Sequence, residues 1–392
     1  MTLHTRRNFL MNGLLLAAPS LARATGGRGE PIKIGVLHSS TGTTSVSEKP
    51  IIDATQFAID EINQSGGLLN REVLPIIEDG ASDPVVFTQK AEKLLSKDAV
   101  SFVFGCYTTA SRKAVLPAFE RHHGLLYYPT FYEGMEISPN ILYIGSEATQ
   151  SSIPLIQWLV KNRGKKFLIV GSDYLFPRAT GKIIRSTLKK MGGVFLNEIY
   201  TPLGSTSFSS VVRDIKLLKP DVVISIIVGN ANKAFYKQLN DAGINGRNTT
   251  IVALAVTEAE AIDIGSDHLQ GVYTCMSYFQ SLVRFRNTQF VKAFKNKFGA
   301  NRVLCDTMES AYSAVHLWRK AVEKSNSLAV DQVIQASAGM DFSAPSGYIR
   351  IHATNHHTWK YTRIGRFDSA GQVEILYESE LTEPHPFGLA NT

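Results

Sequence analysis

The segment VSFVFGCYTTASRKAVLP runs from Val100 to Pro117. Its first half, Val100-Ser101-Phe102-Val103-Phe104, is short, mostly apolar and bounded by Gly105, as expected of a strand buried on both faces. From Ser111 the residues read as a helix. Cys106, Tyr107, Thr108 and Thr109 crowd the turn between them. A strand, a polar turn and a helix in so short a span form the repeating unit of a parallel sheet covered by helices.

The unit recurs on both sides. PIKIGVLHSS, from Pro31, reads as a strand, and PIIDATQFAIDEINQSGG as a helix with Ala54, Phe57, Ala58 and Ile62 at helical spacing. That helix stops at Gly66-Gly67. EVLPIIED is a strand and PVVFTQKAEKLLSKD a helix. SRKAVLPAFERHHG ends at Gly124, and LLYYPT and ILYIGS are short strands. The alternation then restarts. KKFLIVGSDY leads into PRATGKIIRSTLKKMGG, with Pro177 in the first turn of a helix. VFLNEIYTPLG, SFSSVVRDIKLLKP, DVVISIIVG, NANKAFYKQLNDAG and TTIVALAV continue as strand, helix, strand, helix, strand. Two such runs predict an α/β protein of two lobes. The tail differs: NTQFVKAFKNKFG and DTMESAYSAVHLWRKAVEK are helical. Strands and turns follow, with Asp368-Ser369-Ala370-Gly371 as a hairpin turn.

A chain of 392 residues suits two domains. No apolar run reaches the roughly 18 residues that span a bilayer. The N-terminal stretch TRRNFLMNGLLLAAPSLARA pairs Arg6-Arg7 with Phe9-Leu10, a short apolar core and Ala22-Arg23-Ala24. It reads as a signal peptide over residues 1–24 with an A-x-A cleavage site, and the paired arginines favour the twin-arginine route to a bacterial periplasm. Removing it takes the formal charge from +7 to +4, because Arg6, Arg7 and Arg23 leave and no acid does. No Lys/Arg-rich block marks a nucleic-acid footprint. Three cysteines, Cys106, Cys275 and Cys305, fit no zinc spacing. A disulfide between Cys275 and Cys305 is one option and three buried thiols the other.

Catalytic readings are poorly supported. The dinucleotide fingerprint, the P-loop and the G-x-S-x-G elbow are missing. Cys106 has Lys113 and Glu133 nearby in sequence, but a thiol closing an apolar strand is more often inert core. His352 and His356 could share a strand face but lack a third metal ligand, the adjacent His356 and His357 would point to opposite sides, and His122-His123 ends a helix. STGTTS, Ser40 to Ser45, is either a cradle for a polar ligand atom or a helix-capping loop. What remains is a set of aromatic and hydroxyl residues at strand ends: Tyr107, Thr108 and Thr109; Tyr128 to Tyr132 in YYPTFYEG; Tyr174 and Phe176 in GSDYLFPR; and Val228-Gly229-Asn230. Open parallel sheets bind ligands outside the carboxyl ends of their strands. These clusters come from both runs and are expected to face each other across a cleft.

The segments ASDPVVFTQKAEKLL, FGCYTTASRKAVLP, YPTFYEGMEISPNILYIG, GSDYLFPR and TPLGSTSFSSVVRDIKLLKPDVV resemble the urea- and short-chain-amide-binding proteins of ABC transporters. These proteins are part of the branched-chain amino-acid-binding group of periplasmic proteins and are similar to the cytoplasmic amide sensor of amidase operons. The resemblance extends from Pro31 to about Pro386. It implies a type I periplasmic-binding-protein fold of two α/β lobes, each a mostly parallel sheet flanked by helices, with three hinge crossings. Lobe 1 would take residues 30–147 and 278–346, and lobe 2 residues 148–277 and 347–386. The implied ligand site is Tyr107, Thr109, Tyr128, Thr130, Phe131, Tyr174 and Phe176. Tyr107 stands where urea-binding members often carry tryptophan, and Phe176 where the amide sensor carries tyrosine, so urea and larger amides stay open as ligands.

The implied function is capture of urea or a short aliphatic amide and delivery to an ABC-transporter permease. It involves no catalysis, cofactor, metal, nucleic acid or membrane insertion. The alternatives are an amide-sensing regulator and a binding protein for a branched-chain amino acid. The last would require a carboxylate facing the cleft, for which Glu258 is the candidate.

Overall fold

The computed structural model describes residues 29–388, so the expected signal peptide lies outside the described residues. The first run folds as β1 (Ile32–His38), α1 (Ser45–Gln64), β2 (Val73–Asp79), α2 (Pro84–Glu92), β3 (Phe102–Gly105), α3 (Thr109–His122), β4 (Leu125–Tyr128) and β5 (Ile141–Tyr143). Its strands form one sheet in the order β2-β1-β3-β4-β5, parallel throughout. β3 and β4 are buried along their whole length, which is why they read as unbroken apolar runs.

The second run gives α4 (Ser152–Asn162), β6 (Lys166–Ser172), α5 (Leu175–Lys190), β7 (Val194–Thr201), α6 (Ser209–Leu218), β8 (Val222–Ile226), α7 (Ala231–Asp241), β9 (Thr250–Ala253), α8 (Glu258–Ile264), α9 (Ser266–Leu269) and β10 (Tyr273–Met276). The chain then makes α10 (Phe285–Phe298), α11 (Asp306–Ser325), α12 (Val330–Ser337), β11 (Asp341–Ala344), β12 (Gly347–Ile351) and β13 (Thr358–Trp359). It ends with β14 (Arg363–Phe367) and β15 (Val373–Glu378). The second sheet runs β15-β14-β10-β9-β8-β6-β7. Strands β6 to β10 are parallel, and β14 and β15 add an antiparallel edge. The Asp368 carboxylate accepts from the Ala370 and Gln372 amides and shapes the expected hairpin turn.

α11 packs its Ala314, Val315, Leu317 and Trp318 against the first sheet, so the chain returns to lobe 1 after β10. The next crossing falls later than residue 347. β11, β12 and β13 form a small antiparallel sheet, and Ile349 and Ile351 of β12 belong to the lobe 1 core. Only β14 rejoins the second sheet, which places the third crossing at residues 360–362. The end of the chain also departs from the lobe 2 assignment. The Met135 amide donates to the Pro386 carbonyl and the His385 amide to Glu147.

The crossings are tied to one another. Thr358 donates to the carbonyls of Tyr143 and Ile144, Thr362 to that of Gln150. Arg363, fully buried, donates to the carbonyls of Ser277 and Ser346 and pairs with Glu378 at 2.7 Å. A buried guanidinium with every arm occupied holds the crossing strands in register.

Candidate functional site

The turn after β3 is set by a close approach. A Cβ at Gly105 would lie 2.3 Å from the Leu37 carbonyl oxygen, so only glycine fits. The Cys106 amide then donates to that same carbonyl, and Cys106 takes a left-handed φ of 64°. This reversal swings the chain away from the strand line. Thr108 caps α3 by accepting from the Ser111 amide at 3.0 Å.

Tyr107, Thr109, Tyr128, Thr130, Phe131, Tyr174 and Phe176 all line one cavity between the lobes, joined by Thr108, Val228 and Ala255. Every one of these residues lies at or just beyond the carboxyl end of a strand: β3 and β4 on one side, β6, β8 and β9 on the other. Phe131 and Phe176 meet across the cleft with ring centroids 6.1 Å apart. The lobes also touch where the Asn230 amide donates to the Thr43 carbonyl at 3.1 Å. Space open to a water-sized sphere is about 10 Å³, while the gaps among the lining atoms reach about 230 Å³. Little free space remains between the two walls in this arrangement of the lobes. A second void of about 160 Å³ lies alongside and shares Thr108 and Tyr174.

Three hydroxyls of the lobe 1 wall are already engaged. Thr109 donates to Glu133 at 2.7 Å, Tyr128 to the Tyr107 carbonyl at 2.8 Å and Thr130 to the Cys106 carbonyl at 3.3 Å. Behind them Arg112 is fully buried, 4.8 Å from the centroid of Tyr128 and 4.4 Å from that of Tyr132. It pairs with Glu136 at 2.8 Å and stands 3.9 Å from Glu133. Burial alone would raise the Glu136 carboxyl, but Arg112 and Lys113 together hold it down at about 2.

The other singled-out residues serve structure. Lys113 pairs with Glu136, and Glu133 accepts from Thr109, so neither attends the Cys106 thiol. Burial pushes that thiol far above its ordinary range. Cys275 and Cys305 are likewise free and buried, and burial carries Cys305 to about 12. In the Ser40–Ser45 loop, the Ser40 and Thr41 amides and the Thr41 hydroxyl donate to Asp79. Burial opposes ionisation of Asp79, yet these bonds and one from Ala81 bring it to about 2. These donors are spent inside the lobe. His352 bonds Glu383, His356 faces the Ser138 carbonyl, and His357 bonds Tyr132.

A sequence profile described as periplasmic binding protein domain matches residues 32–391. The chain belongs to the periplasmic binding protein family. Among curated relatives, this periplasmic binding protein is 26% identical over 306 residues to a Leu/Ile/Val-binding protein from Rhizobium johnstonii, covering 76% of this chain and 80% of that one. A limonene hydroxylase from Geobacillus stearothermophilus is 33% identical over 129 residues, 33% of this chain. The match spans only 24% of that protein, so its activity does not transfer. Among solved structures, the solute-binding protein of an ABC transporter from Rhodopseudomonas palustris, in complex with 3,4-dihydroxybenzoic acid, superposes with a TM-score of 0.82 at 22% identity. The match covers 90% of this chain and 98% of that one, and it establishes the two-lobed type I fold.

Thr108 and Ala255 join the expected lining through the same strand-end rule. Glu133 and Arg112 carried no such signal, since they act on the site from behind it. Glu258 is buried, accepts from the Gln280 amide at 2.8 Å and does not line the cavity. Burial raises its carboxyl to about 8.

Proposed function

We propose that this periplasmic binding protein captures urea or a short-chain aliphatic amide between its lobes and hands it unchanged to an ABC-transporter permease. One observation carries the reading. The ten residues that line the cavity, five aromatic, three threonine, one valine and one alanine, include no charged side chain. A neutral, planar molecule with N–H and C=O groups matches fixed hydroxyls between aromatic walls. A zwitterionic amino acid or a benzoate carries full charge, and burying it without a partner is costly. Glu258 lies outside the cavity with its carboxyl raised by burial to about 8, and Glu48, beside the second void, already accepts from His38, Ser39 and Thr44.

The titration that tests this uses the mature protein with urea, formamide, acetamide, propionamide, leucine and 3,4-dihydroxybenzoate. Saturable heat is expected from the first four. Binding of leucine or the benzoate alone would refute the reading. Release of ammonia from acetamide that disappears in Cys106→Ser would show an amidase instead. Export by the twin-arginine route belongs to the same proposal. Changing Arg6 and Arg7 to lysine is expected to hold precursor in the cytoplasm, and normal periplasmic yield of that variant would exclude the route.

A further inference from the structure

A threonine hydroxyl has one proton to give and two lone pairs to offer, whereas carboxylates and carbonyls only accept. For four of the cavity hydroxyls the partners therefore fix which way the proton points. The Thr109 proton goes to Glu133, that of Tyr128 to the Tyr107 carbonyl and that of Thr130 to the Cys106 carbonyl. Thr108 donates to the Ser111 hydroxyl at 3.0 Å. Lone pairs are what these four groups have left for a guest. We infer that these four hydroxyls form an acceptor row on the lobe 1 wall that selects ligands by their N–H groups, and that Glu133 is the positioning residue that makes Thr109 an acceptor. The inference rests on the amide reading and deepens it: this row of hydroxyls reads the ligand's N–H donors.

Glu133 is suited to the part. It is buried, accepts from the Thr109 hydroxyl at 2.7 Å and stands 3.9 Å from the Arg112 guanidinium. Arg112 is itself fastened by Glu136, so the arrangement does not depend on the ligand. Arg112 also approaches the Thr109 oxygen at 3.5 Å, the limit of a hydrogen bond, leaving that oxygen a further lone pair.

Urea, acetamide and acetone are nearly the same shape and carry four, two and no N–H bonds. Titration of the mature protein with the three reads donor count at constant volume. Each buried acceptor left unpaired weakens binding by about 5- to 150-fold, so acetone is expected to bind at least about tenfold more weakly than urea. In Glu133→Gln the side-chain amide can donate to Thr109, whose proton then turns to the cavity. The urea-to-acetone ratio is expected to fall at least about fivefold while the circular dichroism and the unfolding midpoint stay near the parent's. A purely structural role would lower both affinities and keep the ratio. Thr109→Val removes one acceptor, lowers the same ratio, and serves should the glutamine variant misfold. Equal binding of urea and acetone by the parent overturns the inference, as does a folded Glu133→Gln with the parental ratio. If none of the three binds, the amide reading fails and the inference falls with it.

Discussion

Replacing Arg112 by methionine keeps much of the side-chain volume and removes the buried guanidinium beneath the ligand wall. Arg112 is fully buried, pairs with Glu136 at 2.8 Å and lies over two tyrosine rings. Removing one partner of a buried pair costs about 3–5 kcal/mol, because the other charge stays behind. The carboxylate gives an independent figure. Its fall from 4.5 to about 2 corresponds to about 3 kcal/mol. Lys113, nearly half exposed, supplies part of that and remains in the variant, so solvent screening trims the Arg112 share to about 2 kcal/mol. Lost cation–π contact adds about 1 kcal/mol. The expected loss at pH 7 is therefore about 3 kcal/mol. Guanidinium chloride is the denaturant to use, since urea is a candidate ligand. Fluorescence of Trp318, buried against Phe102 and Phe104, follows lobe 1. The folded-state value of Glu136 lies below its unfolded one, so this stabilisation is complete above about pH 4.5 and disappears as pH falls towards 2. The acid loss over that window is expected to shrink in the variant. A loss below about 1 kcal/mol at pH 7, with an unchanged acid profile, would refute the reasoning.

Three further outcomes are expected. Tyr174→Ala removes an aromatic wall supplied by lobe 2 and is expected to weaken amide binding about 5- to 150-fold by calorimetry; parental affinity would move the site elsewhere. Gly229 has a φ of 71°, and a Cβ there would lie 2.4 Å from the Thr43 carbonyl oxygen of the other lobe. Gly229→Ala is therefore expected to oppose closure and slow ligand capture in stopped-flow measurements, and unaltered capture would show that the lobes close without this contact. Glu258, raised by burial to about 8, binds a proton in the folded state that the unfolded chain releases near 4.5. Parental stability should therefore decline between about pH 5 and pH 8, and Glu258→Gln is expected to flatten that decline in denaturant titrations across the range.

Periodicity alone determined the alternation of apolar strands with amphipathic helices, its interruption and restart, and the tail of a different kind. These are local patterns that each element carries within its own residues. The strand-end rule then brought Tyr107, Thr109, Tyr128, Thr130, Phe131, Tyr174 and Phe176 to one cavity, because parallel strands present their carboxyl ends on one side. Short elements were not legible: α8 and α12 span seven and eight residues, too few for a helical period to stand out. The third crossing was misplaced for a related reason. The alternating residues of Gly347–Ile351 suit either sheet, and only pairing with β11 and packing of Ile349 and Ile351 under α11 assign them to lobe 1. The polarity of the site was beyond the sequence altogether. Thr109 and Glu133 are separated by 24 residues, and no periodic signal links them. Which way a hydroxyl points depends on the partner that the fold places against it, so the tertiary structure alone turned a row of threonines into acceptors.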